Sequence, residues 1–261
     1  MSTILFHEIV FGPIHSRRLG SSLGMNLLPY DGKLCSFDCI YCECGYNENF
    51  RTKTKLPSRE NVKAALEDKL MHLQKEGTAL DVITFAGNGE PTIHPQFAEI
   101  IDDTIELRDK YYPQTKISVL SNAMHAGKEK VFDALKKVDN NILKLDSACI
   151  DTVQLIDRPN SPEYSIEKQI ELFKRFEGNF IMQTMFVRGS HKGRVVDNTT
   201  EGEVSAWLEA VRATKPREVM IYTIDRETPE KNLEKVPVED LRKIGDRVEG
   251  LGLGIEVLVT A

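Results

Sequence analysis

Short runs crowded with β-branched and other apolar residues recur along the chain, each separated from the next by room for a helix. They fall at 80–86 (LDVITFA), 116–120 (KISVL), 142–145 (ILKL), 180–187 (FIMQTMFV), 218–224 (EVMIYTI) and 255–259 (IEVLV), with an earlier run at 23–28. Near-continuous apolar runs of this length read as strands buried on both faces. Between them lie helical patterns. Ser58 is an N-cap for a stripe of Val62, Ala65, Leu66, Leu70 and Leu73, with Gly77 as the stop. Ser161-Pro162 is a second start signal, ahead of Ile166, Ile170 and Phe173. Thr200 and Glu203 have capping-box spacing before Val204, Leu208 and Val211. A last stripe, Val238, Leu241, Ile244 and Val248, ends near Gly250 or Gly252.

Strands alternating with helices predict repeated βα units and a parallel sheet. Six or seven units are too few for a closed eight-fold barrel. The expected fold is therefore α/β, an open partial (β/α)6-type TIM barrel with a parallel sheet; a doubly wound sheet is the alternative. In either, the loops after the strands carry the chemistry. The 261 residues read as a single domain, with an N-terminal extension at about 1–22 and a loop of special composition at about 31–50.

Charge and hydropathy narrow the classes of partner. Against 34 Lys+Arg stand 40 Asp+Glu, a net charge of −6, so no generic nucleic-acid surface is expected. No apolar run reaches the roughly 18–20 residues of a membrane span. The start, MSTILFHEIVFGP, has no basic segment and is interrupted by Glu8, unlike a signal peptide. A cytoplasmic setting, away from membranes, is expected.

Four of the five cysteines, Cys35, Cys39, Cys42 and Cys44, lie within ten residues, and Cys149 stands apart. An odd count in an unsecreted chain points to metal or redox chemistry rather than a disulfide framework. Cys35, Cys39 and Cys42 are spaced C-x3-C-x2-C, a loop that wraps several corners of one iron–sulfur cluster. Three ligands leave one iron open, as catalysis requires. A four-thiolate zinc site that adds Cys44 is the alternative, although zinc ligands usually come as two pairs from separate loops. Incidental buried thiols are the third reading.

The spacing, with Tyr41 just before the last ligand, resembles the signature of radical S-adenosylmethionine (radical SAM) enzymes. FGPIHSRRLGSSLGMNLLP before it, TFAGNGEPTIHP after it, and LKLDSA followed by IDRPNSP are similar to one branch of that superfamily. The branch includes the enzymes that build the wyosine tricycle on tRNA and related bacterial Fe–S oxidoreductases. The resemblance covers nearly the whole chain. It implies that Cys35, Cys39 and Cys42 hold a 4Fe-4S cluster whose fourth iron is chelated by S-adenosylmethionine. One electron then cleaves the cofactor to methionine and a 5′-deoxyadenosyl radical, which abstracts hydrogen from a substrate. Reduced flavodoxin or ferredoxin is the implied electron donor.

By the same resemblance the backbone at Tyr41 meets the adenine, where the ring alone reads equally as a packing aromatic. Gly87, Asn88, Gly89 and Glu90 approach the methionine ammonium or form an ordinary strand-to-helix turn; the residues here read Gly-Asn-Gly-Glu rather than Gly-Gly-Glu. Ser121 and Asn122, at a strand end, contact ribose or carboxylate, or merely form a turn. Lys144 and Asp146 share one face of a buried strand and need either a ligand near the ribose or each other. Gln183, mid-strand, is a further candidate. Arg17 and Arg18 are candidates for an anionic group or form a solvated turn; Arg158 reaches the site mouth or braces a loop. Cys44 is a candidate hydrogen donor or substrate ligand. The loops 47–57 and 189–198 are expected at the mouth, and the six histidines lack metal-ligand spacing. The substrate is open: small molecule, protein or RNA. A glycyl-radical activase and a wyosine-like tRNA enzyme are alternatives, the latter weakened by the absence of any Cys before Cys35. A non-catalytic Fe–S electron carrier would want four cysteines and leave GNGEP unexplained.

Overall fold

The computed structural model describes residues 4–16, 18–49 and 52–260. It divides into two compact units, Leu5–Cys35 with Asn47–Asn141, and Met1–Ile4 with Ser36–Tyr46 and Ile142–Ala261.

The first unit opens on an antiparallel hairpin, β1 (Val10–Ser16) and β2 (Gly20–Met25), whose register shifts between Phe11 and Ile14. Then come α1 (Arg59–Lys75), β3 (Val82–Phe85), α2 (Phe97–Tyr111), β4 (Lys116–Ser121) and α3 (Glu129–Lys137). β2, β3 and β4 run parallel and adjacent, with β1 outermost. All four residues of β3 are buried, as a strand covered on both faces demands. The Ser58 hydroxyl accepts from Asn61 N at 3.2 Å, and α1 buries Val62, Leu66, Leu70 and Leu73. Gly77, at φ +67°, lets the chain turn away after the last helical residues. Ser58→Ala is expected to cost about 1 kcal/mol in urea unfolding, through one lost helix-end acceptor.

The second unit contains, in chain order, β5 (Asn140–Lys144) from Ile142 on, α4 (Ile150–Ile156), α5 (Ile166–Lys174), β6 (Ile181–Met185), β7 (Val187–His191) and β8 (Arg194–Asp197). These are followed by α6 (Glu201–Thr214), β9 (Glu218–Tyr222), β10 (Leu233–Lys235), α7 (Val238–Glu249) and β11 (Glu256–Thr260). β5, β6, β9 and β11 form a parallel run. β10, β7 and β8 form a separate antiparallel sheet.

Three local expectations need correction. The run 180–187 is not one strand. It leaves the parallel sheet after Met185, and Val187 begins β7. Between them Phe186 donates to Tyr222 O at 2.8 Å and its ring stands edge-on to Trp207, 5.4 Å away, so the junction is itself core. A continuous apolar run carries no mark of such a change of sheet. The helix expected from Ser161-Pro162 begins at Ile166, because Ser165 supplies the cap to Lys168 N at 3.2 Å while Ser161 closes a local turn to Glu163 N. Thr200 does cap α6, but Glu203 closes no capping box. Its carboxylate accepts from Ser147 and Thr152 hydroxyls, each at 2.6 Å.

Candidate functional site

In the first unit the loop after β3 is pressed onto the stretch before Cys35. A Cβ on Gly89 (φ +135°) would lie 2.0 Å from Leu34 O, and one on Gly87 2.4 Å from Asn26 Oδ1. Only glycine permits this approach. It brings Leu34 N to Asn88 O at 2.8 Å and Glu90 N to Leu34 O at 3.1 Å. Asn88 is fully buried and braces the loop: its Nδ2 donates to Phe6 O (2.8 Å) and Pro29 O (2.9 Å), and its Oδ1 accepts from Phe6 N (2.8 Å). Asn26 Oδ1 accepts from Asn88 N at 3.1 Å.

Glu90 is buried and joins its own local turn to the end of β4. It accepts from Thr92 N (3.1 Å), the Thr92 hydroxyl, the Ser121 hydroxyl (2.8 Å) and Asn122 N (2.7 Å). Burial pushes its carboxyl pKa up, opposed by these donors. Asn122 Oδ1 accepts from Met124 N at 3.1 Å, and its Nδ2 donates to Cys35 Sγ at 3.6 Å. Ser121 and Asn122 thus do form a turn, each side chain accepting from the backbone two residues on, and that turn is buried against Glu90 and Cys35. Arg18 follows β1 in the hairpin turn; Arg17 lies outside the described residues.

The second unit holds Cys39, Tyr41, Cys42 and Cys44. Their segment is fastened to the end of α4 by Asp38 N to Asp157 O and Ile40 N to Ile156 O, both at 2.9 Å. A tight turn places Cys42 N on Cys39 O at 3.1 Å. Above it lies a buried charge cluster. Lys144 Nζ is 2.7 Å from Asp146 and 3.2 Å from Asp157, and sits 4.5 Å from the centre of the Tyr41 ring. The Tyr41 hydroxyl donates to Asp146 and, at 3.3 Å, to Asp157; Cys39 Sγ donates to Asp157 at 3.4 Å. Asp146 Oδ1 accepts from Met185 N at 2.9 Å.

Burial alone would lower the Lys144 pKa, but Asp146 and Asp157 outweigh it and the pKa is raised. Burial, then the neighbouring Asp146, pushes Asp157 up to about 8. Lys144 and Asp146 therefore satisfy each other, with Asp157 as a third member. Gln183, also buried, pairs in register with Lys144. Arg158 is 3.3 Å from Asp38 and stacks over the Tyr46 ring, so it braces its loop. Cys149 lies ahead of α4, its thiol pKa raised by burial and by Glu203.

Asp157 was the residue sequence reasoning passed over, although it stands in the quoted stretch IDRPNSP. An acid at the end of a short helix gives no local sign that it turns inward. All five cysteines are thiols. Among the described residues no three His, Cys, Asp or Glu side chains gather closely enough to hold one metal ion by themselves. A four-iron cluster brings its own sulfides and spreads its thiolates to the corners of a cube. Three thiols on one eight-residue stretch, with a glycine-cradled loop against the first, fit that group in donor chemistry.

Comparison with known proteins gives the family. The Radical SAM superfamily profile matches residues 31–190. A UPF0026 protein of Helicobacter pylori is 31% identical over 248 residues, covering 93% of this chain and 74% of that protein. GTPase Obg of Brachyspira hyodysenteriae is 30% identical over 242 residues, 90% of this chain but 32% of that protein, so the chain spans about a third of its length. Among solved structures, Streptococcus suis SuiB superposes with a TM-score of 0.61 at 14% identity, over 90% of this chain and 50% of that one. TYW1 with a lysine-pyruvate adduct bound gives 0.58 at 15% identity, over 88% of this chain and 73% of that one. At such identities the two structures speak for the fold, the mostly parallel α/β partial barrel expected from the sequence. No helix among the described residues is long and apolar enough to cross a membrane. The chain belongs to the radical SAM superfamily, a class of enzymes that work with S-adenosylmethionine and an iron–sulfur cluster.

Proposed function

We propose that Cys35, Cys39 and Cys42 bind a 4Fe-4S cluster and that the chain cleaves S-adenosylmethionine reductively to act on a substrate by hydrogen abstraction. The observation that carries this is the superfamily match over 31–190, which contains the C-x3-C-x2-C motif and the GNGEP loop. When bound, the cluster and cofactor together supply one-electron cleavage of the S–C5′ bond and a 5′-deoxyadenosyl radical. Glu90 and Asn88 fix the loop that faces Cys35, and Glu90 also holds the backbone of Asn122. With its carboxylate filled by four donors, Glu90 supports the methionine end of the cofactor chiefly through the loop it shapes. Lys144 and Asp146 hold the Tyr41 ring from above. The electron comes from a reduced flavodoxin or ferredoxin.

A GTPase reading, suggested by one relative's name, lacks support: the chain contains no G-x4-G-K-[S/T] loop to cradle phosphates. A tRNA-modifying reading, suggested by TYW1, has against it the net charge of −6.

The test is anaerobic reconstitution, iron and sulfide analysis, and dithionite reduction with S-adenosylmethionine, reading 5′-deoxyadenosine by mass spectrometry. Wild type should carry about four irons per chain and form deoxyadenosine. The triple variant Cys35→Ala/Cys39→Ala/Cys42→Ala should do neither. Zinc in place of iron, or a full cluster with no cleavage, would overturn the assignment.

A further inference from the structure

We infer that Asn122 is a hydrogen-bond donor to the sulfur of Cys35, holding the reduction potential of the cluster up, and that Glu90 is the positioning residue that aims it. The inference rests on the reading of Cys35 as a cluster ligand.

The direction of the amide is fixed by its surroundings. Asn122 Oδ1 is occupied by Met124 N at 3.1 Å, which leaves Nδ2 to face Cys35 Sγ at 3.6 Å, a normal length for an N–H···S bond. The backbone behind it is fixed as well. Asn122 N donates to Glu90 Oε2 at 2.7 Å, and the neighbouring Ser121 hydroxyl donates to Glu90 Oε1 at 2.8 Å while accepting from Ala123 N at 2.9 Å. Ala123 takes a left-handed φ of +62°, so β4 ends in a bend that the Glu90 and Ser121 contacts hold in place. On the other side, Cys35 follows the stretch that Gly89 and Glu90 clamp through Leu34. Donor and acceptor are both anchored, and Glu90 belongs to each anchor. Asn122 and Glu90 are both buried, where a polar contact is stronger than in water.

The consequence follows from charge. One-electron reduction places an added negative charge on the cluster, shared by its ligating sulfurs. A donor aimed at one of those sulfurs stabilises the reduced form more than the oxidised form and raises the potential. A single charge-assisted bond is worth about a tenfold change in the reduced-to-oxidised ratio, which for one electron is about 59 mV.

The experiment compares wild type with Asn122→Ala and Asn122→Asp after anaerobic reconstitution, by EPR-monitored potentiometric titration without S-adenosylmethionine. Leaving the cofactor out separates this role from any contact Asn122 makes with it. Iron content and circular dichroism should match wild type, and the midpoint should fall by about 59 mV in Asn122→Ala and further in Asn122→Asp, which adds a negative charge. Glu90→Gln, which cannot accept from Asn122 N at its amide nitrogen, should shift the midpoint in the same direction by less. Full clusters with an unchanged midpoint in both Asn122 variants would overturn the inference and leave the ligand assignment standing. Loss of iron from both folded variants would also overturn it, giving Asn122 a purely structural part. If wild type itself binds no iron, the ligand reading fails and this inference with it.

Discussion

Alanine at Gly89 is expected to destabilise the protein by roughly 3 kcal/mol or more and to cut cluster loading sharply. Two costs add. The backbone at φ +135° is a region that side chains rarely adopt, worth about 1–3 kcal/mol. The new methyl would also lie 2.0 Å from Leu34 O, a backbone atom that cannot rotate away. Relief requires parting the loop from Leu34, which breaks the two backbone bonds that hold the stretch before Cys35. Urea unfolding and iron content per chain check this together. A variant within 1 kcal/mol of wild type that still loads fully would show that the clamp is unnecessary.

Lys144→Met is the second large effect, about 3–5 kcal/mol near neutral pH, because it leaves Asp146 and Asp157 buried without their cation. Its size should depend on pH, and the sign can be worked out. Asp157 titrates near 3.8 when exposed and at about 8 in the fold, so between those values the folded state holds a proton that the unfolded state has lost. Its contribution to stability is complete below the lower value and is lost as pH rises toward about 8. In the variant Asp157, having lost the Lys144 cation that lowers its pKa, holds its proton still more tightly. The deficit should therefore be small at acidic pH and grow through neutrality. Urea unfolding of both proteins at pH 5 and pH 8 measures it; an equal deficit at both would mean that Lys144 acts by packing rather than charge.

The parallel strands were legible because β-branched runs announce themselves locally, and α1 because Ser58 and Gly77 mark its two ends. The three-stranded sheet was not. β7 and β8 meet through Lys192-Gly193, both at positive φ (49° and 76°), and a lysine in that place gives no turn signal. Within the candidate site, the cysteine spacing stands out because cysteine is rare, and GNGEP because two glycines and a proline directly follow a buried strand. Lys144 and Asp146 were correctly placed on one face by strand periodicity, but their third partner was not. Asp157 meets Cys39 across 118 residues of chain, a separation that no local pattern records. For Glu90 two of the four donors are local, from Thr92 two residues on, but the other two come from Ser121 and Asn122 at the end of β4, and only the fold brings those to it.

The irregular register of β1 bears on how the molecule behaves in a crowded solution. β1 is the outermost strand of its sheet, and an outermost strand is a template on which another chain can lay itself. Here the shift between Phe11 and Ile14 breaks the ladder, and Pro13 has no N–H to offer. The strand that leaves Ile14 half open to water is thus a poor seed for edge-to-edge association, and the sheet is guarded at this one of its two edges by the irregularity of the strand itself.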